Sequence, residues 1–141
     1  MLCALCPSMG HAQTAITIDE LDQMNFGTII VDPNGDEIRI RPNGRMTSTG
    51  QSFFSGTTSG ARFRLRGEPN AAFNISFSSG DVLTGSGAAI SLEQFQHNRG
   101  DTPAFNGNGR RNTRVGARLV INAGQISGAY SGTYTIFVDY P

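Results

Sequence analysis

No lysine and no tryptophan occur in this 141-residue chain, and its two cysteines both fall within the first six residues. All eleven basic residues are arginine, and eleven acidic residues balance them to a formal charge of zero. The missing lysine reads as a bias of composition, not as a sign of anion recognition. The zero balance argues against nonspecific binding to nucleic acid or to a charged membrane surface, both of which need a net basic footprint. Nor is there an apolar run of about 18 residues or more, so no membrane span is expected.

Residues able to carry catalysis are few. Downstream of residue 12 the one histidine is His97, in a polar stretch that reads as an exposed loop. No serine stands in a Gly-x-Ser-x-Gly elbow. The adjacent carboxylates of Asp36 and Glu37 would point to opposite faces of a strand and cannot act as a pair. The chain therefore does not read as an enzyme, and no cofactor is implied. Asp32, Asn34 and Asp36 alternate oxygen ligands as a calcium loop does. The glycine between them is misplaced for such a loop and no bidentate glutamate follows, so a turn is the better account and no metal is expected.

The opening residues MLCALCP form a short apolar run, and Gly10, His11 and Ala12 make a small-x-small cleavage pattern. Residues 1–12 read as the remnant of a secretory signal peptide. Cleavage there leaves a mature chain with no cysteine, hence no disulfide, no thiol chemistry and no thiolate metal site.

What the chain does have is glycine, 18 of them, with serine, threonine, asparagine and nine phenylalanines. That mixture disfavours helices and suits short strands and turns. Residues 25–31 form an apolar strand, a Pro-Asn-Gly turn follows, and residues 36–41 alternate isoleucine with charge, so the two read as a hairpin. Residues 61–67 alternate again, with Phe63 and Leu65 inward and Arg62, Arg64 and Arg66 outward. Residues 72–77, 82–83, 88–96 and 115–121 supply further strands, and residues 97–113 read as an exposed polar loop. Roughly eight strands with turn signals between them predict one all-β domain, an antiparallel sandwich, over residues 25–141.

The most ordered pattern lies in GAYSGTYTIFVDYP at residues 128–141. Tyr130, Tyr134, Ile136, Val138 and Tyr140 fall on one face, with small or polar residues mostly on the other, which predicts one long strand with an apolar side.

MNFGTI at 24–29, FRLRGEPNAAFNI at 63–75 and AGQISGAYSGTYT at 123–135 resemble the corresponding elements of an exported bacterial family catalogued as a domain of unknown function. The ending is also similar to pilin subunits of the chaperone–usher type and to spore coat protein U-like subunits, with Tyr140 and Gly128 at their tyrosine and glycine positions. The resemblance implies an immunoglobulin-like sandwich left incomplete and completed by a donor strand from a neighbour. Residues 13–24 are then the N-terminal donor segment, with Ile16 and Ile18 as plugs. Gly128, Tyr134, Ile136, Val138 and Tyr140 mark the edge gripped by a subunit or chaperone. The implied partners are identical subunits, a periplasmic chaperone and an outer-membrane usher. The implied route runs through the periplasm to the cell surface or beyond, and the role is a structural subunit of a fimbria-like filament.

Two readings stay open beside it. The final strand can simply complete a self-contained sandwich, making a monomeric secreted or periplasmic protein that binds a carbohydrate or protein. Arg62, Arg64 and Arg66, with Arg39 and Arg41 near them, form either a solvated face balanced by acids or a stripe for a glycan or anionic surface.

Overall fold

The computed structural model describes residues 13–141, and the signal-peptide reading of residues 1–12 lies outside them. In chain order the strands are β1 (Thr17–Asp22), β2 (Thr28–Ile30), β3 (Asp36–Ile40), β4 (Met46–Ser48), β5 (Phe53–Ser55), β6 (Ala61–Arg66), β7 (Asn74–Phe77), β8 (Asp81–Gly85), β9 (Ile90–His97), β10 (Arg110–Ile121), β11 (Tyr130–Ser131) and β12 (Ile136–Asp139). No helix occurs among the described residues.

The twelve residues of β10 read RRNTRVGARLVI, and Thr113, Val115, Ala117, Leu119 and Ile121 are all buried. That two-residue period aims one face at the core. Both backbone edges are used. One pairs with β6 from Arg110 to Val115 and then with β3 from Ala117 to Ile121, while the opposite edge pairs with β9. Gly116 sits where β3 gives way to β6. A Cβ there would lie 2.1 Å from the Ile40 carbonyl oxygen and 2.9 Å from the Pro42 nitrogen, so the junction accepts glycine alone. With β1 on β6, β4 on β3, β8 on β9 and β11 on β8, these strands make one eight-stranded antiparallel sheet.

Two ribbons cover the sheet's inner face, β7 with β12 and β2 with β5. The first closes over Phe63, Leu65, Phe73, Phe105, Val115 and Val138. The second lies over Ile38, Ile90, Leu92, Leu119 and Ile121, through Phe26, Ile29 and Phe54. Met24, Phe95 and Tyr134 touch both clusters and join them into one core. Ring pairs run through it: Phe73 with Phe105 at 4.5 Å, Phe77 with Phe95 at 5.1 Å and Phe95 with Tyr134 at 4.9 Å between centroids. These separations suit offset or tilted aromatic contact. The fold is thus the all-β antiparallel sandwich that the alternation predicts.

Three local expectations need correction. The turn after residue 31 forms, with the Gly35 amide donating to the Asp32 carbonyl at 2.9 Å, but the hairpin does not. Instead β2 pairs with β5, while β3 joins β10 and β4. Lying beside β10 leaves Ile38 and Ile40 with no solvent exposure, a long-range burial that local pairing could not match.

Residues 97–113 are not loop throughout. Arg110 to Thr113 open β10, and Pro103 and Phe105 are buried. A single phenylalanine among polar residues leaves no period to read. His97 ends β9 half-buried, where burial pulls its imidazole below the ordinary value against the opposing pull of Asp101.

The terminal run keeps its two faces, with Val138 buried and Phe137 exposed, but it is two strands. It pairs with β8 as β11 and with β7 as β12, and leaves both ladders between them.

Replacing Gly116 by alanine should destabilise the domain by about 3 kcal/mol, the scale of a forced overpacking. Gly107→Ala, where the nearest atom to an added Cβ is 4.0 Å away, should change it by less than about 0.5 kcal/mol. Urea unfolding curves of the two variants measure both.

Candidate functional site

The two inner ribbons do not meet. Among the described residues β2 is hydrogen-bonded to β5 on one edge and to no strand on the other. β11 and β12 likewise have, among the described residues, ladder partners on one side only, β8 and β7. Between residues 24–31 and residues 126–134 runs an open groove, and among the described residues no backbone hydrogen bond spans it.

The groove consists of two adjoining cavities of about 360 and 500 Å³, which share Phe26, Gly27, Leu83 and Tyr130. Its floor is core: Leu83, Ile90, Leu92, Leu119 and Ile121. Its rim is apolar too, with Ile30 64% and Ile126 57% exposed. A sheet edge with free amides and carbonyls above an apolar floor is the geometry that accepts an added strand.

The wall formed by residues 122–130 is held by side chains. Gln125 Nε2 donates to the Ala88 carbonyl at 2.7 Å and to the Tyr130 hydroxyl at 3.0 Å, and that hydroxyl donates to the Ile126 carbonyl at 2.5 Å. Gly128 lies in the same wall with φ of 148°, and an added Cβ would stand 2.7 Å from Ser86 Oγ. Both facts call for glycine there.

The expected site residues divide into three groups. Gly128 and Tyr134 line the groove. The Tyr134 hydroxyl is buried without a hydrogen-bond partner among the described residues, and burial, then the nearby charge of Glu20, pushes its pKa up. Ile136, Val138 and Tyr140 turn their side chains into the core, leaving only the β12 backbone edge for a partner. Ile16 packs against the same core cluster, and Ile18, 38% exposed, sits in β1.

The N-terminal segment is therefore at home on its own chain, paired antiparallel with β6. Tyr140 fastens it. Its hydroxyl donates to the Thr14 carbonyl and accepts from the Glu68 amide at 2.8 Å, while Thr14 in turn donates its amide and hydroxyl to Glu68 Oε2 at 3.0 and 2.8 Å. Glu20 within β1 and Gln23 just beyond its end line one end of the groove.

Arg62, Arg64 and Arg66 do face outward along β6. Their cross-strand neighbours are Arg114, Asn112 and Arg110 of β10, not Arg39 or Arg41. Arg39 lies further along the sheet, opposite Arg118, with its guanidinium on Gln94 Oε1 at 2.7 Å.

The residues resembling a calcium loop serve a different purpose. Asp36 Oδ1 accepts the amides of Thr49 and Gly50 at 3.1 and 2.8 Å and the Thr49 hydroxyl at 3.1 Å, and Oδ2 accepts the Ser52 amide at 3.3 Å. Asp32 takes the amides of Asn34 and Gln51 at 2.9 and 3.0 Å. The two carboxylates fasten the loop between β4 and β5 by accepting its donors. No group of three or more His, Cys, Asp or Glu able to hold a metal ion occurs among the described residues. No helix among them is long and apolar enough to cross a membrane.

The groove-lining side chains of Phe26, Ile29, Ile30, Leu83 and Ile126 were not foreseen as a site. Their only sequence signal is apolar character, which core residues share.

A family described as Domain of unknown function (DUF4402) matches residues 16–140. No curated protein and no solved structure matches the chain.

Burial alone would raise the Asp36 carboxyl, but the bonds from Ser52, Gly50 and Thr49 outweigh it and hold the pKa below the ordinary value. Its contribution is thus full above the unfolded pKa, about 3.9 for aspartate, and is lost as pH falls through the lower folded value. Asp36→Ala should cost about 2 kcal/mol at pH 7, since it leaves the part-buried donors of Thr49, Gly50 and Ser52 without their acceptor. The gap between wild type and variant in thermal melts should shrink as pH falls below about 4.

Proposed function

The chain belongs to the DUF4402 family, and from its open groove we propose that it is a structural subunit of a bacterial surface filament, assembled by β-strand addition. The carrying observation is the pair of unpaired strand edges facing each other across an apolar floor. Such edges invite pairing and need a cover.

The donor is the segment at residues 13–21 of a neighbouring copy. On its own chain β1 leaves five of its six side chains exposed and, among the described residues, pairs along one edge only. Laid in a neighbour's groove, it can pair on both sides. Ile18 has little more than a third of its surface left to cover, worth up to about 1 kcal/mol. Main-chain pairing, not side-chain burial, therefore drives the exchange. Tyr140 and the Asp22–Arg62 ion pair at 2.7 Å hold β1 at home and supply the barrier.

Strand exchange of this kind is heterologous and does not close, so it builds fibres. An exported chain would need a periplasmic chaperone over the groove before an outer-membrane usher passes it to the cell surface. The pairing of β1 with its own β6 favours a second reading, a self-contained exported sandwich whose groove takes a carbohydrate or a partner's peptide.

The test uses residues 13–141 at high concentration, followed by negative-stain microscopy and unheated gels. Wild type should form linear polymers, and removal of residues 13–21 should leave a monomer that binds a peptide of residues 13–24. Ile30→Asp, a change on an exposed residue, should alter monomer stability by less than about 0.5 kcal/mol yet abolish both polymer and peptide binding. A wild-type chain that stays monomeric, with a truncated form that ignores the peptide, overturns the proposal.

A further inference from the structure

The outward face of β6 and β10 carries five arginines in two rows. Arg66 stands directly opposite Arg110 and Arg62 directly opposite Arg114, with Arg64 opposite Asn112 between them. Directly opposed residues on one sheet face lie about 5 Å apart, and successive ones along a strand about 7 Å. Like charges so placed repel and cost stability. Only Arg62 of the five has an ion pair among the described residues, with Asp22 at 2.7 Å. Asp19 of β1 stands across from Arg64, while Thr17 stands across from Arg66. At the other end of β10, by contrast, Arg118 is neutralised by Glu93 at 2.6 Å and Glu37 at 3.3 Å. The acids of this sheet thus gather around Arg118 and the outer edge, and Arg66, Arg110 and Arg114 have no ion pair among the described residues.

We propose that this arginine ladder is a binding site for a linear acidic polysaccharide. A fold that retains an uncompensated like-charge grid has a use for it when an external anion supplies the missing charge. The planar guanidinium pairs bidentately with carboxylate or sulfate, and Asn112 between the rows adds a neutral donor and acceptor for sugar hydroxyls. The outward residues of these two strands include no aromatic side chain, so the face lacks the stacking platforms that single-stranded nucleic acid uses. The repeat of the rows suits a chain with one anion per sugar or per disaccharide. This site does not depend on the groove, which lies between the ribbons on the sheet's inner face. In a filament the ladders of successive subunits would act together and multiply avidity.

The experiment measures binding of residues 13–141 to oligogalacturonate and to a heparin dodecasaccharide at about 50 mM salt, with neutral dextran and a thymidine oligonucleotide as controls. Wild type should bind at least one of the acidic saccharides, with affinity falling as salt rises, and should ignore dextran. The triple variant Arg66→Ser, Arg110→Ser, Arg114→Ser should lose at least about tenfold in affinity, the scale of one to two charge-assisted contacts. Relief of repulsion should leave its melting temperature equal to or above wild type, so failure to fold does not confound the result. Asp22→Asn, which frees Arg62, should tighten binding severalfold. Absence of saccharide binding by wild type overturns the proposal, as does equal binding by the triple variant. Equally tight binding of the oligonucleotide overturns it too, by showing a patch that takes any polyanion.

Discussion

Each strand has two backbone edges, and β10 uses both over Val115 to Val120. Its first half serves β6, its second half β3, and β9 runs along the opposite edge. Every other strand of the large sheet is attached through one of these three. The arrangement holds because Gly116 lets the end of β3 come within van der Waals distance of the β10 backbone. Here the absence of one Cβ decides whether two strands can share an edge. The buried face of β10 then contributes Val115 to one core cluster and Ala117, Leu119 and Ile121 to the other, so the same strand organises both packing and pairing.

A large sheet covered by two short ribbons has an unavoidable seam, and the groove is that seam. The hydrophobic effect fills the core beneath it but provides no hydrogen bonds for the edges of β2 and β11. Meanwhile Tyr140 ties the start of the described chain to its end, through Thr14 and Glu68. Tyr140 thus adds a side-chain clasp to the β6 ladder and the Asp22–Arg62 ion pair that keep the N-terminal strand on its own sheet. The proposed exchange is a competition between that side-chain clasp and a second backbone edge.

Charge in this protein is organised locally while its sum is zero. Net charge governs nonspecific steering, and here it supplies none. The ladder on β6 and β10 and the neutralised cluster around Arg118 sit on the same sheet face, yet differ in whether carboxylates stand opposite the guanidiniums. At the start of β3, next to Glu37, Asp36 spends its charge together with Asp32 on the amides of a loop. The same residue types hold structure at one place and remain open at another, according to what the pairing register sets beside them.

Alternation along the chain was enough to establish the fold class and which way many side chains turn. Phe63 and Leu65 inward with Arg62, Arg64 and Arg66 outward, and the two faces of residues 130–140, follow from a period of two that any strand imposes. Phe105 escaped, since one phenylalanine in a polar stretch has no periodic neighbours. Which strand lies beside which was not legible either. Residues 25–31 and 36–41 are joined by a genuine turn, yet pair elsewhere, because register and partner are chosen by the burial of a whole sheet face. The sequence by itself therefore determined faces, turns and an all-β domain. Only the tertiary structure decided that two edges stay bare around a groove, and that Arg66 and Arg62 meet Arg110 and Arg114, because those are relations between segments some fifty residues apart that no local pattern encodes.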